Sequence, residues 1–268
     1  MTQQHVLADS TPQPQSSLGP RFLVFWRHGR TAWNAAGRLQ GQSDIELDEI
    51  GHQQIELAAQ VLAGAFPDAA ILTSDLKRAQ QTAAVISQLT GQPVTVDERL
   101  RERSFGEWEG LERTEIARRW PAIFSAWQRG SDAVGKPPGG ESRREVGLRI
   151  AEAVREHVAN GAADALDQAP DPSARAGKNN EVLLIVGHGA AITAGITALI
   201  GEDPGDWHGI TGLDNANWSI LERKPHAACD TGAANQTQAA NQKNVSLWRL
   251  MGHNLSAAPF NLGEVFGA

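Results

Sequence analysis

Two uninterrupted apolar runs stand out from the alternation of hydrophobic and polar positions along the chain. The first predicts a strand at about residues 21–26 and ends at Arg27 and His28, and the second predicts a strand at about residues 181–186 and ends just before His188. Runs of this kind are typical of strands buried on both faces, as in a parallel sheet. Ligands of open α/β sheets bind beyond the carboxyl ends of the strands. We therefore expect the two histidines to lie together at one edge of a sheet.

The rest of the chain alternates between short strand-like and longer helix-like segments. Strands are predicted at about 69–73, 94–96, 217–222 and 244–250, and helices at about 53–62, 79–88, 107–136, 142–160 and 190–201. Polar residues that favour helix starts precede three of these helices, namely Asp48, Ser74 or Asp75, and Ser142. Strand and helix alternate over most of the chain, so the predicted fold class is α/β.

Composition predicts one large domain with irregular additions. With 268 residues and 41% hydrophobic content, the chain can bury a sizeable core, and we assign residues 21–268 to one domain. Residues 1–20 are polar and contain prolines, which predicts a disordered tail. We expect a small helical cap insertion, rich in Trp and Arg, at about 107–140, a surface linker at about 161–180, and a long mobile hairpin loop at about 224–242.

Charge and cysteine content narrow the class of partner. The net charge of −7 does not favour nucleic-acid binding, and no apolar run reaches the length of a membrane span. Cys229 is the single cysteine, so no internal disulfide can form and a reducing compartment is expected. Residues 1–20 also lack the apolar core of a signal peptide. We expect a soluble cytoplasmic protein that binds neither nucleic acid nor membrane.

The candidate chemistry is that of a phosphate group. Arg78 lies in the first turn of the helix that follows strand 69–73, and helix N-termini and guanidinium groups both bind anions. Together with Arg27, His28 and His188 it would form a compact cationic pocket. A neutral imidazole is a competent nucleophile toward phosphorus, so His28 is expected to take the phosphoryl group while the other three groups stabilise its charge.

The leaving oxygen would need a proton from a carboxylic acid, and water would later release phosphate from the histidine. Glu102 is the best-placed donor. The sequence leaves three alternatives open, which are Glu98, Glu107 and Glu109.

Five ordered motifs resemble those of the histidine phosphatase (phosphoglycerate mutase-like) superfamily, over roughly residues 21–222. They are RHGxTxxN at 27–34, GRLQG at 37–41, SDLKRAxxT at 74–82, LRE at 100–102 and GHG at 187–189. The resemblance implies a three-layer α/β/α fold with a mostly parallel central sheet and one antiparallel strand, and it implies no metal or other cofactor. It also implies that His28 is the phosphorylated nucleophile, that Glu102 is the proton donor, that Gln40 lines the substrate side, and that the phosphoryl group is bound by Arg27, Arg78, Asn34, His188 and the backbone of Gly189.

Within the superfamily, LRERSFGEWEG at 100–110 followed by PGGES at 138–142 resembles the phosphatase branch, and the Lys-rich insertion of cofactor-dependent mutases is missing. The segments DNANWSIL at 214–221 and LWRLMGHNLSA at 247–257 resemble actinobacterial glucosyl-3-phosphoglycerate phosphatases, which are cytoplasmic and dimeric. The implied function is a metal-independent phosphomonoesterase that acts on a small phosphorylated molecule such as glucosyl-3-phosphoglycerate, as a homodimer. Two departures from the family pattern are Gly187, where Ser or Thr is usual, and the long 224–242 loop.

Other interpretations of the same residues stay open at this point. The whole protein could be a cofactor-dependent phosphoglycerate mutase or a non-catalytic phosphate-binding module, whereas no residue spacing favours a metallohydrolase. Asn34 could be a turn residue, and Lys77 could take the place of Arg78. The cap tryptophans, Trp108, Trp120 and Trp127, fit a small core, and a cap carrying Arg113, Arg118 or Arg119 could select a glycosylated acidic substrate.

Overall fold

A computed structural model describes residues 19–167, 181–224 and 247–257. Its strands are β1 (Phe22–Arg27), β2 (Ala70–Thr73), β3 (Val94–Val96), β4 (Val182–Gly187), β5 (Trp218–Arg223) and β6 (Trp248–Leu255). They form one sheet in the order β3-β2-β4-β1-β5-β6. The pairs β1–β4, β2–β4 and β2–β3 are parallel, whereas β5 is antiparallel to both β1 and β6. Among the described strands only β5 is reversed, which confirms the α/β class with a mostly parallel sheet.

The described residues form seven α-helices around this sheet. They are α1 (Ala32–Ala35), α2 (Glu49–Ala65), α3 (Lys77–Thr90), α4 (Arg113–Arg119), α5 (Pro121–Gln128), α6 (Arg143–Asp167) and α7 (Gly189–Leu199), with 3₁₀ turns at Glu98–Leu100 and Gly106–Trp108. One apolar cluster joins α2 and α3 to one face of the sheet, and a second joins α6 and α7 to the other. The result is the three-layer α/β/α arrangement.

Strand β1 shows why its sequence lacks alternation. Val24 and Trp26 belong to the cluster on one face, Leu23 and Phe25 belong to the cluster on the other, and all four are fully buried. Because successive side chains of a strand point to opposite faces, a strand covered on both sides must be apolar throughout. The strand therefore carries the backbone into the centre of the molecule and exposes its polar continuation, Arg27 and His28, at the sheet edge.

Two of the three predicted helix caps are present. Asp48 accepts a hydrogen bond from the backbone N–H of Gly51 at 2.7 Å and caps α2. Ser142 forms a reciprocal pair with Glu145 at the start of α6, with Ser142 Oγ accepting from Glu145 N at 3.1 Å and Glu145 Oε2 accepting from Ser142 N at 2.6 Å.

The predicted cap of α3 was wrong. The helix starts after Leu76, which offers no side-chain acceptor, and the carboxylate of Asp44 from a distant loop accepts from Lys77 N at 2.8 Å. Asp75 is occupied elsewhere, because Arg101 Nε donates to it at 2.8 Å. The first N–H group of α3 is therefore bound by Asp44, which lies far away in the sequence, and not by the predicted local cap.

The single helix predicted for residues 107–136 was also wrong. The backbone leaves helical geometry at Trp120, with φ −133° and ψ 60°, and Pro121 begins α5 as a separate helix. Trp108 is fully buried in a small separate cluster with Phe105, Ile116 and Phe124. The tryptophans of this segment therefore contribute to a small local core, which is the first of the two roles considered for them in the sequence.

Three other boundaries differ from the predictions or lie beyond the described residues. Helix α6 continues to Asp167, into the predicted linker, and β6 extends to Leu255, which pairs with Trp218 of β5. Most of the predicted tail, the 224–242 loop apart from its first residue, and Cys229 lie outside the described residues. Within the described part of the chain, no helix combines the length and apolarity that a membrane span requires.

Candidate active site

The sheet brings the two strand-end histidines side by side. Strands β1 and β4 are parallel neighbours in a register that pairs Arg27 with Gly187, so both chains leave the sheet at the same edge. His28 N donates to Gly187 O at 3.0 Å, and the ring centroids of His28 and His188 are 5.2 Å apart. Both imidazoles are buried, with 2% and 0% of their residue surface exposed. Their environment is therefore set by protein groups rather than by bulk water.

His28 is held as a neutral imidazole with one nitrogen free to react. Its Nδ1 lies 2.7 Å from the carbonyl oxygen of Gly29, and because a carbonyl can only accept, Nδ1 carries the proton. The lone pair is then on Nε2. Burial, together with the positive charges of Arg78 and Arg27, holds the pKa of His28 well below its ordinary value.

His188 has the opposite tautomer. Arg78 Nε donates to His188 Nδ1 at 3.2 Å, so the proton is on Nε2. This Nε2–H is buried and has no hydrogen-bond partner among the described residues. Burial and the nearby charge of Arg78 also hold the pKa of His188 well below its ordinary value. The pair thus presents one acceptor nitrogen and one donor nitrogen.

Arg78 is the fully buried centre of the pocket. Beyond its bond to His188, its Nη1 donates to Ser43 O and its Nη2 donates to Gly41 O, both at 2.8 Å. Burial lowers the pKa of Arg78 to about 10, which leaves the guanidinium charged at neutral pH. Its neighbour Lys77 instead pairs with Glu46 at 2.9 Å on the surface, so the structure places Arg78, not Lys77, at the site.

Three further donors line the same pocket. Arg27 Nη1 donates to Leu213 O, while its buried Nε lacks a partner among the described residues. Gly189 packs on this guanidinium so closely that a Cβ would come within 3.3 Å of it, and its N–H is the first of α7. Asn34 accepts from Thr31 N at 3.1 Å through Oδ1, which leaves its Nδ2 without a described acceptor. A buried, unpaired guanidinium N–H such as Arg27 Nε–H favours an anionic ligand.

Of the four candidate acids, Glu102 alone lines this pocket within the described residues. It is 9% exposed and accepts from Ala191 N at 2.7 Å through Oε1 and from Ala190 N at 3.1 Å through Oε2. Glu98 has a side chain that is 77% exposed, and Glu107 is exposed as well. Glu109 is close, but its carboxylate is occupied by backbone groups of residues 42, 43 and 105.

The pocket extends well beyond the phosphate-sized end, to a volume of about 980 Å³. Gln40 lines it, is 7% exposed, and has an Oε1 without a partner among the described residues. Sequence reasoning named Arg113, Arg118 and Arg119 for this region, and only the first lines the pocket. The other arginines in the wall beyond the phosphate-sized end were missed, namely Arg38, Arg103, Arg129 and Arg143.

Arg103 is the most informative of the missed residues. It is 3% exposed, and its Nε donates to Glu141 O at 2.7 Å. Neither Nη has a hydrogen bond, and no carboxylate lies within salt-bridge distance, among the residues that the structure describes. Burial lowers its pKa to about 10. Because Arg103 directly follows the candidate acid Glu102, the sequence did contain a signal that Arg103 lies near the site. Asn215, which donates to His28 O at 3.2 Å, was missed too and left no such signal.

Comparison with known proteins identifies the family. Residues 23–229 match the family model described as histidine phosphatase superfamily (branch 1). The chain belongs to this superfamily. It is a phosphatase of that superfamily.

Similar proteins within the superfamily include phosphatases and a mutase. The chain is 39% identical over 213 residues to a glucosyl-3-phosphoglycerate phosphatase of Mycolicibacterium vanbaalenii, which covers 80% of this chain and 89% of the relative. A solved mycobacterial glucosyl-3-phosphoglycerate phosphatase in complex with VO3 superposes with a TM-score of 0.70 at 34% identity, covering 88% of this chain and 100% of that one. A 2,3-bisphosphoglycerate-dependent phosphoglycerate mutase of Cytophaga hutchinsonii is 34% identical over 176 residues, 65% of this chain and 74% of the mutase.

The two buried histidines predict how stability depends on pH. In the unfolded chain both titrate near their ordinary pKa, whereas the pKa of each is held well below that value in the folded protein. Below about pH 6.5 the unfolded chain therefore binds more protons, and the free energy of unfolding should fall by up to about 1.4 kcal/mol per pH unit for each histidine. Urea titrations at several pH values between about 7.5 and 5.5 measure this slope.

A variant provides the control for the acidic groups that titrate in the same experiment. His188→Gln removes one of the two titrating groups, so its unfolding free energy should fall less steeply with decreasing pH than that of the natural protein. An identical slope in both proteins would contradict the neutral state assigned to His188.

Proposed function

We propose that this histidine phosphatase hydrolyses phosphomonoesters through a phosphohistidine at His28 Nε2. The observation that carries the proposal is the tautomer of His28, because the Gly29 carbonyl holds the proton on Nδ1 and leaves the Nε2 lone pair in a buried pocket of unpaired donors. In the first step Nε2 attacks phosphorus, the P–N bond forms and the P–O bond to the leaving group breaks. Water then attacks phosphorus, the P–N bond breaks, phosphate is released and neutral His28 is regenerated.

The donors around His28 match the charge that develops during this transfer. Arg27 and Gly189 line the pocket, and the buried His188, which carries an unpaired Nε2–H, lies beside His28 with the two ring centroids 5.2 Å apart. Donors held in place before the reaction stabilise the equatorial oxygens of the transferring group without reorganisation. Asn34 Nδ2 adds a fourth donor. The role of each of these residues is the one that the family resemblance implied.

Glu102 is proposed as the acid of the first step and the base of the second. In the described structure both of its oxygens accept from the N-terminal N–H groups of α7. As the acid of the first step, Glu102 would carry a proton when the substrate is bound. The acid then gives its proton to the leaving oxygen, and the resulting carboxylate takes a proton from the attacking water.

The distal wall of the pocket supports an acidic substrate. Arg103 is a buried guanidinium with an unpaired fork, and Arg143 adds a second positive charge close enough to lower its pKa. Buried charges are normally paired, so this end of the pocket is suited to an anionic group such as a carboxylate on the part of the substrate that is not transferred. The proposed substrate is glucosyl-3-phosphoglycerate, which carries such a group. Two of the relatives reported above are named as phosphatases of this compound.

A phosphoglycerate mutase is the second candidate, favoured by the identity to mutases such as that of Cytophaga hutchinsonii. The missing Lys-rich insertion and the higher identity to phosphatases favour hydrolysis. Homodimer formation and a cytoplasmic location, which the resemblance implied, stay predictions. Light scattering of the purified protein measures the first.

The test is phosphate release from a panel of phosphomonoesters with EDTA present. We expect glucosyl-3-phosphoglycerate to be hydrolysed with the highest kcat/KM, ahead of 3-phosphoglycerate, sugar phosphates and p-nitrophenyl phosphate. Arg103→Met should lower kcat/KM for the acidic substrates by about 10- to 100-fold, since a charged hydrogen bond is lost, and should lower it less than about 3-fold for p-nitrophenyl phosphate.

Arg118→Met serves as the matched control, because Arg118 is exposed on α4 and does not line the pocket. Its kinetics should equal those of the natural protein on every substrate. Equal losses on acidic and neutral substrates in Arg103→Met would contradict the acidic subsite. Interconversion of 2- and 3-phosphoglycerate without phosphate release would contradict the phosphatase proposal itself.

A further inference from the structure

The carboxylate of Glu109 accepts hydrogen bonds from the turn at residues 40–43, and the mechanism proposed above gives this carboxylate no role. Its Oε1 accepts from Gln42 N and Phe105 N, both at 3.1 Å, and its Oε2 accepts from Ser43 N at 3.1 Å and Ser43 Oγ at 2.8 Å. It has no cationic partner within salt-bridge distance among the described residues. A carboxylate with four hydrogen bonds to one loop and its own segment is suited to hold that loop in a single shape.

The loop that Glu109 holds lies directly against the carboxylate. Gly41 has φ +54°, and a Cβ there would come 2.1 Å from Glu109 Oε1, so only glycine fits both the backbone angle and the space. Ser43 N also donates to Gln40 O at 3.1 Å, which closes residues 40–43 into a tight turn. The turn therefore depends on the carboxylate for the position of its N–H groups.

The carbonyl groups of the same turn hold Arg78. Its Nη1 and Nη2 donate to Ser43 O and Gly41 O at 2.8 Å each, and its Nε donates to His188 Nδ1 at 3.2 Å. The negative charge of Glu109 additionally favours the charged form of this buried guanidinium. Each bond in this chain fixes the next group, from the carboxylate to the turn, from the turn to the guanidinium, and from the guanidinium to the imidazole.

We infer that Glu109 is a positioning residue that sets the tautomer of His188 through residues 40–43 and Arg78. When Arg78 Nε donates to Nδ1, the proton of His188 must be on Nε2, where it faces no described partner and is available to the transferring phosphoryl group. Without that donor the imidazole can hold its proton on Nδ1, and the Nε2–H donor is lost. Glu109 thus contributes to catalysis without touching the substrate. The activity readout of this inference rests on the proposed function.

The test compares Glu109→Gln with Glu107→Gln. The first variant keeps the shape of the side chain but replaces one acceptor oxygen with an NH₂ group that would face backbone N–H groups. We expect kcat on p-nitrophenyl phosphate to fall about 10²-fold, with a smaller change in KM, because the defect lies in the positioning of a catalytic group. Glu107 is exposed and lies outside the pocket, so Glu107→Gln should match the natural protein.

Two readouts separate this role from a general loss of stability. In ¹⁵N–¹H correlation spectra, His188 of the natural protein should show a protonated Nε2 and an unprotonated Nδ1, whereas Glu109→Gln should show a mixture of tautomers. In a double-mutant cycle, Glu109→Gln should lower kcat by less than about 3-fold when Arg78 is already replaced by lysine, since both changes break the same chain of contacts.

Ser43→Ala provides a second variant in case Glu109→Gln does not fold. It removes only the Oγ bond to Glu109 and should shift the same spectra and kcat in the same direction by a smaller amount. An unchanged His188 tautomer in folded Glu109→Gln, or additive losses in the cycle, would overturn the inference. If the natural protein releases no phosphate at all, the proposed function fails, whereas the imidazole spectra still decide the role of Glu109.

Discussion

Replacing His28 with alanine should lower kcat by at least about 10⁴-fold for every phosphomonoester, since removal of a nucleophile leaves only binding and electrostatic contributions. The effect is expected to be this large because His28 Nε2 is the acceptor nitrogen of the histidine pair and forms the proposed covalent bond. Steady-state phosphate release with EDTA present measures the loss. Phosphorus NMR of the natural protein, after rapid mixing with substrate and an alkaline quench, should detect a phosphohistidine that is absent from the variant.

His52→Ala is the matched control for this experiment. His52 is exposed on α2 and lies outside the pocket, so the variant should keep full activity and form the phosphohistidine. Inorganic phosphate should still bind to His28→Ala, because Arg27, Arg78 and His188 remain. Residual activity in His28→Ala within about 10-fold of the natural protein would contradict covalent catalysis at His28.

Replacing Glu102 with glutamine should have the second-largest effect, and the size of the effect should depend on the leaving group. For an alkyl phosphate, whose leaving oxygen must be protonated, we expect kcat to fall about 10²- to 10⁴-fold. For p-nitrophenyl phosphate the leaving group needs no proton, so the loss in the first step should be about 10-fold or less. Kinetics on both substrates, with thermal unfolding to verify the fold, measure the difference.

The rival carboxylates provide the controls for Glu102. Glu98→Gln and Glu107→Gln alter exposed side chains that do not line the pocket, so both should leave kcat unchanged on either substrate. An equal loss on the alkyl and the p-nitrophenyl substrates in Glu102→Gln would show that Glu102 holds α7 in place rather than donating the proton. In that case its hydrogen bonds to Ala190 N and Ala191 N would be its main contribution.

Loss of activity alone does not distinguish the two enzyme types that are found among the relatives. A glucosyl-3-phosphoglycerate phosphatase and a phosphoglycerate mutase are both among the relatives, at 39% and 34% identity. Both enzyme types need a nucleophile and a transfer pocket, so His28→Ala does not distinguish them. The fate of the phosphoryl group does, because a phosphatase releases it as inorganic phosphate whereas a mutase returns it to the substrate.

Several features of the fold and the site were predictable from local sequence. The apolar run of β1 required burial on both faces, and the runs of β1 and β4 therefore located the sheet and the edge at which His28 and His188 lie. Asp48 and Ser142 were recognised as helix caps because a capping side chain bonds to N–H groups only a few residues away. Pro121 was an equally local signal for the start of a new helix, and the prediction of a single helix at 107–136 did not take it into account.

Only the tertiary structure decided which polar groups find partners. Asp75 is separated from Arg101 by a strand and a helix, yet this ion pair and the arrival of Asp44 determined how α3 begins. Along the chain Glu102 was the best-placed acid but Glu98, Glu107 and Glu109 stayed open, and folding placed Glu102 in the pocket and the carboxylate of Glu109 against the turn at residues 40–43. By itself the sequence determined the α/β layers and the strand ends at which His28 and His188 lie, because hydrophobic periodicity and caps act over a few residues. The tautomers of the histidines and the surroundings of Glu102 and Arg103 depend on hydrogen bonds and burial between residues far apart in the chain, so only the packed structure could decide them.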